Sequence, residues 1–298
     1  MHGAAVGRGR RLDVITASRL TEPCTEHGEG PFWDTVNGRL LVVDMLRGAV
    51  VTLDPSGVVG RYELGGVAAT VRARRGGGFV LASERGFQLF SPDFVADGAE
   101  VAAFDDPLLR MNDGGCDPQG RFYCGTMAYA ETPGAGSLYR LDPDLSVQRV
   151  LDGVTISNGL QWHADGQHVY YNDTPTGRID LFDFEPDTGR FSARRSFVDV
   201  APGSGLPDGM AIDEAGGVWI ALWGGSAVYR YDEKGQLSER IELPVRQVTA
   251  CTFGGPDATT LYITTSRLGL GADAEPEAGA VFAAEVGIRG ATQYAFAG

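Results

Sequence analysis

Apolar residues in this chain come in short runs separated by Gly, Asp, Asn and Pro, and no segment sustains a 3.6-residue apolar stripe. RLLVVD (39–44), FVLAS (79–83), RFYCGT (121–126), HVYYND (168–173), VWIALW (218–223) and TLYITT (260–265) each follow a turn-forming cluster. Each is followed by another β-rich run: AVVTLD (49–54), FQLFSPD (87–93), SLYRLD (137–142), RIDLFDF (178–184), AVYRYD (227–232) and AVFAAEV (280–286). Outer runs such as VVGRYEL (58–64), RRSFVDV (194–200) and SERIELPV (238–245) complete most copies. Period-2 alternation within them, as in VYRYD, is that of strands. Four short antiparallel strands per unit of about 40–50 residues is the blade of a β-propeller. One such sheet cannot bury both faces, so blades stack around an axis.

The pattern predicts an all-β fold, a single six-bladed propeller over 11–298. The last copy lacks an obvious fourth strand, so the early run RLDVITAS (11–18) is expected to pair into it and close the ring. Residues 1–10 are expected to form a disordered tail.

The copies share a second feature. Asp208 is followed by Asp213 at +5 and Gly216 at +8, just before VWIALW. The same offsets lead back from the other second runs to Glu29, Ala68, Asn112, Asn158 and Thr249, 39 to 50 residues apart. Rotational symmetry brings these six positions to one mouth of the central channel, and four of them carry carboxylate or carboxamide oxygens. Asp-Gly and Asn-Gly pairs beside strands are ordinarily turns, but independent turns need not share one phase. Two carboxylates that face each other require a positive charge between them. An oxygen-only donor set points to a hard divalent cation, calcium first, with zinc, manganese, magnesium and iron as alternatives. Asp34, Asp117 and Asp213, at +5, are read as structural residues of the outer turns.

Composition narrows the partners. The formal net charge of −14, with no basic run, argues against nucleic acid or an anionic membrane. The four cysteines form no CxxC pair and are read as free, mostly buried thiols. The first twenty residues lack the apolar stretch of a secretory signal, and no run is long enough to span a bilayer. A soluble cytoplasmic monomer is expected. His2, His27, His163 and His168 are read as surface residues, since zinc-type His spacing is absent. No G-x-S-x-G elbow occurs, and GLGADA (269–274) leaves no room for a phosphate-binding helix. Trp33, Trp162 and Trp219 are expected in the core; Trp223 and Tyr129 lie nearer the loops that would line a pocket.

The segments HGEGPFWD, RMNDGGCDPQGRFYCGTM, ISNGLQW, LPDGMAIDEAGGVWIA and AGAVFAAEVGIRGATQYAFAG resemble the SMP-30/gluconolactonase/regucalcin family, in order, from about residue 22 onward. The resemblance implies a six-bladed propeller with one divalent metal at the channel mouth and hydrolysis of sugar lactones. It places metal ligands at Glu29, Asn158 and Asp208 and substrate contacts at Arg110 and Asn112. The family's glutamate after its GTMA segment matches Glu131 only with a one-residue shift, since this chain reads GTMAYAET. The expected activity is a lactonase in which the metal acts as Lewis acid and Asp208, also a ligand, takes the proton from water. An esterase or phosphotriesterase-like hydrolase, or a non-catalytic calcium-binding propeller, would use the same ligands.

Overall fold

The computed structural model describes residues 13–54, 56–271 and 275–298. Six sheets follow one another along the chain, each led by a strand that lines a common axis. Blade 1 comprises Gly28–Asp34, Arg39–Asp44, Ala49–Asp54 and Gly57–Glu63; blade 2 comprises Thr70–Ala73, Phe79–Ala82, Gly86–Phe90 and Val101–Ala102. Blade 3 is Leu109–Cys116, Phe122–Ala128, Gly136–Leu141 and Val147–Val154, and blade 4 is Ser157–Trp162, His168–Asp173, Arg178–Glu185 and Arg190–Asp199. Blade 5 is Leu206–Ile212, Val218–Trp223, Ala227–Tyr231 and Leu237–Glu242, and blade 6 opens with Val248–Gly254, Thr260–Thr265 and Phe282–Glu285. The inner strands neighbour one another in sequence order, and Val248–Gly254 returns to lie against Gly28–Asp34.

The second strands are the most apolar: Leu40 to Val43 and Val218 to Leu222 are buried without exception, because each lies between two adjoining sheets. Trp33, Trp162 and Trp219 are buried as expected, Trp33 stacked on Tyr262 at 5.4 Å. The four cysteines are free, three of them buried.

Ring closure uses the early run, but divides it. Ser18–Arg19 pairs antiparallel with Phe282–Glu285 and supplies the fourth strand of blade 6. Asp13–Thr16 instead pairs in parallel with Leu237–Glu242, adding a fifth strand to blade 5. The single break at Ala17 lets one short run fasten two neighbouring blades, so the whole run does not serve the last blade alone. The tail assigned to residues 1–10 lies outside the described residues.

Antiparallel order puts the start of each inner strand, the turn between second and third strands, and the chain entering from the preceding blade at one end of the channel. At the other end the C-terminal segment crosses the opening. Ala291 N–H donates to Ile212 of blade 5, Gln293 Nε2 to the Phe253 carbonyl of blade 6, Phe296 N–H to Ala73 of blade 2 and Ala297 N–H to Gly120 of blade 3. Phe296 is wholly buried. Above this plug lies a cavity of about 50 Å³.

Candidate metal centre and substrate pocket

Glu29, Ala68, Asn158, Asp208 and Thr249 lie within the first three residues of an inner strand or just before it, Asn112 is the fourth residue of its strand, and all six are buried. In five blades the pairing with the second strand shifts register at this point: Glu29/Phe32, Met111/Gly114, Asn158/Leu160, Pro207/Met210 and Val248/Ala250. A bulge gives two residues the space of one and re-aims a side chain. The Glu-Gly, Asn-Gly and Asp-Gly pairs are therefore bulges within strands and not hairpin turns. Gly30 and Gly159 sit at φ of +49° and +32°, and a side chain on Gly159 would run into Asn172 Oδ1 and the Asp208 carbonyl.

The bulges knit the donors together across blades. Asn112 Nδ2 donates to Asn158 Oδ1 (3.0 Å) and to the Ser157 carbonyl (2.8 Å), while its Oδ1 accepts from Arg110 Nη1 (2.6 Å). Thr174 Oγ1 donates to the Pro207 carbonyl at 2.9 Å and accepts from Asn158 Nδ2 at 2.8 Å. That chain of bonds fixes the orientation of the Asn158 carboxamide. Thr249 bonds the Gly28 carbonyl at 2.6 Å, beside Glu29.

Burial and mutual repulsion raise the proton affinity of the acids at the mouth. Burial raises Glu29 to about 8, with the charge of Asp113 adding to it; the Gly30 N–H and Arg110 oppose the shift. Asp208 is pushed well above the carboxylate range, by burial first and then by Glu29 and Asp113. Asp208 Oδ1 is buried and has no hydrogen-bond partner among the described residues. Such an oxygen is costly unless a cation meets it. The donor set thus fits a hard divalent ion: two carboxylates, one oriented amide oxygen and an orphaned lone pair. Burial raises Asp113 as well, with Arg72 and the Gly114 and Gly159 N–H groups opposing the shift.

Arg110 stands beside the acids. It is buried, and its Nη1 contacts Asn112, the Met111 carbonyl (3.0 Å) and Met45 Sδ (3.1 Å). Its Nε and Nη2 meet no protein acceptor, and it forms no carboxylate ion pair, among the described residues. The Nε and Nη2 atoms of a rigid fork are left free to donate. Tyr129 lies over this guanidinium, 6.0 Å from ring centre to Cζ, and is half exposed. Glu131 is exposed at φ +52°, its N–H on the Ala128 carbonyl, with no side-chain hydrogen bond among the described residues.

Sequence reasoning missed several supporting residues. Asp113, next to Asn112, is a third buried acid, bonded to Gly114 N–H at 2.7 Å and lining the cavity. Asp44 and Asp173, each ending a second strand, accept backbone N–H groups of Glu26 and His27, and of Thr155 and Ile156, at 2.8–3.1 Å. They hold the two loops that lead into Glu29 and Asn158, and their shared offset of +15 is the signal that could have found them. His27 corrects the surface reading: it is buried, bonded to Ser266 at 2.8 Å and set edge-on to Trp223. His163 and His168 are half-buried, and with Asp165 they bring ligating atoms within 4.8 Å of one another. This group sits on the turn between the first and second strands of blade 4, at the end of the channel away from Glu29. His2 is outside the described residues.

A family model described as SMP-30/Gluconolactonase/LRE-like region matches residues 27–267. The chain belongs to this family. Regucalcin of Xenopus laevis is 37% identical, covering 91% of this chain and 95% of its own. A solved structure described as a calcium-binding protein, regucalcin, from Agrobacterium tumefaciens superposes with a TM-score of 0.89 at 28% identity, over 96% of this chain and 98% of the other. A luciferin-regenerating enzyme superposes at 0.86, also 28% identical, over 95% and 99%. Membership and these neighbours support a lactonase-type propeller. Among the described residues, no helix is long and apolar enough to cross a membrane.

Proposed function

We propose that the protein is a metal-dependent hydrolase that opens sugar lactones of the aldonolactone type. The observation that carries this reading is the orphaned, buried Asp208 Oδ1 beside Glu29, next to an arginine with two unused donors. Glu29, Asn158 and Asp208 would hold the cation, with calcium the first choice and zinc, manganese, magnesium or iron accepted by the same oxygens. When bound, a divalent cation supplies Lewis-acid polarisation of an ester carbonyl.

The remaining work falls to the chain. Arg110 directs Nε and Nη2 at the ring oxygen or hydroxyls of the substrate and keeps its charge at all relevant pH values. Asn112 orients both Arg110 and Asn158, and so couples substrate position to ligand position. Asp208, a ligand with a second carboxylate oxygen, would accept a proton from the attacking water. Glu131 lies at the rim, where its carboxylate meets the outer end of a bound sugar.

Titrating acid release from a panel of aldonolactones and aryl esters, with calcium, with chelator and with each metal restored, tests the proposal. Chelator-sensitive turnover of aldonolactones above that of esters is expected. Turnover of aryl esters or phosphotriesters alone replaces the substrate class, and stoichiometric calcium binding without turnover of any of them leaves only the binding role.

A further inference from the structure

Blade 2 gives the mouth no oxygen at the shared position, where it carries Ala68. It contributes instead through the turn between its second and third strands. The Glu84 carbonyl accepts the Met111 N–H at 2.8 Å, which locks this turn between Arg110 and Asn112. Tyr129 arrives from the end of the second strand of blade 3, with its N–H on the Leu108 carbonyl at 3.0 Å, and its hydroxyl donates to Glu84 Oε1 at 2.7 Å. Three side chains from two blades thus stand in a row on one side of the mouth: Arg110, Tyr129 and Glu84.

The donor and acceptor inventory of that row is specific. Arg110 offers Nε and Nη2 as donors. Tyr129 directs its hydroxyl hydrogen at Glu84, so toward a ligand its oxygen can only accept. Burial and the Glu84 contact push the phenol up to about 12, so it keeps that proton at neutral pH. Glu84 Oε2 has no partner among the described residues and is a second acceptor. A hydroxyl group is donor and acceptor at once, so neighbouring ring hydroxyls satisfy such a row at every point. An alkyl ring of the same size would cover these groups and leave them unpaired, which is the strongest form of discrimination a site can apply.

We propose that Glu84 and Tyr129 form a hydroxyl-reading wall that, with Arg110, selects polyhydroxylated lactones over unsubstituted ones. This inference rests on the lactonase reading and deepens it. It also gives the substrate a carboxylate partner from blade 2, in addition to the exposed Glu131.

The test compares the wild type with Glu84→Gln and Tyr129→Phe, both of which keep side-chain volume. One readout is the ratio of kcat/KM for an aldonolactone to that for δ-valerolactone. The other is calorimetric binding of a sugar lactam, a ring-hydroxylated analogue that resists hydrolysis. Each substitution should lower the ratio about tenfold, chiefly through KM for the hydroxylated substrate, and weaken the lactam by a similar factor. A merely structural role would depress both substrates together and leave the ratio in place, which would overturn the proposal. Unchanged lactam affinity in both variants would overturn it as well. If the wild type opens neither lactone, the hydrolase reading fails, and lactam binding alone decides the wall.

Discussion

The molecule buries two sets of acids, and they are treated in opposite ways. At the turns joining first and second strands, Asp117 and Asp213 are surrounded by donors. Asp117 takes Gly120 and Arg121 N–H groups at 2.8 and 2.9 Å, Arg121 Nε at 2.5 Å and Tyr123 Oη at 3.0 Å. Asp213 takes Ala215 and Gly217 N–H groups, Trp219 Nε1 and Arg230 Nε, all within 3.0 Å. Asp34 does the same with Asn37 and Arg39. At the mouth, Glu29 has a single backbone donor at 3.1 Å and Asp208 Oδ1 has none. Burial alone therefore says little about an acid; the count of donors around it separates a fastening from a binding site.

The contrast is sharpest when one acid of each kind is removed. Asp213→Ala leaves Arg230 without its nearest carboxylate and Trp219 without an acceptor, and should cost about 3–5 kcal/mol of stability in urea denaturation. Asp208→Asn should have the opposite sign in metal-free protein near neutral pH, raising Tm, because it removes a carboxyl that must take up a proton to be buried. The same Asp208→Asn change should lower metal-stimulated kcat/KM by about 10³-fold, as expected when several kcal/mol of stabilisation are lost. A destabilised Asp208→Asn protein would erase the distinction between the two sets.

The pH dependence follows from the same difference. Glu29 loses its proton near 4.5 in an unfolded chain and near 8 in the metal-free fold. Between these values the folded state holds a proton that the unfolded state has released. The contribution of Glu29 to metal-free stability is then fully present below about pH 4.5 and is lost as the pH rises to about 8. Thermal melts across this range, with and without calcium, should converge at low pH and separate at high pH, since the ion binds the ionised form. Parallel curves would count against Glu29 as a ligand.

A smaller effect probes the support of Asn158. Thr174→Val keeps the shape but removes the hydroxyl that orients the amide. It should weaken calcium about tenfold, by analogy with other second-layer changes at metal sites, and shift Tm little. Unaltered calorimetric affinity would mean that Asn158 is held by Asn112 alone.

Much of this was legible in the chain because a propeller converts a repeat in sequence into convergence in space. The spacing of Glu29, Asn112, Asn158 and Asp208 carried the mouth, and their +5 companions carried the fastened turns. What stayed hidden depends on partners from other blades. His27 looks like a polar loop residue until Ser266, at the far end of the chain, covers it. Asp113 follows Asn112 directly, and alternation would send it to the opposite face; the bulge between Met111 and Gly114 lets both turn inward. Glu84 and Tyr129 belong to turns of different blades, so no single repeat unit displays them together. The division of the early run between two blades turns on one residue, Ala17, which a period-2 pattern does not mark.

The C-terminal plug makes the channel a blind well with one door. Anything that rests at the bottom must arrive before whatever rests above it, so cation and sugar would load in a fixed sequence and leave in reverse. A bound sugar then acts as a cork, and a chelator should strip calcium more slowly when the sugar lactam is present. Unsealing the well, by cutting the chain before Gly290, would give the ion a back exit and abolish that protection.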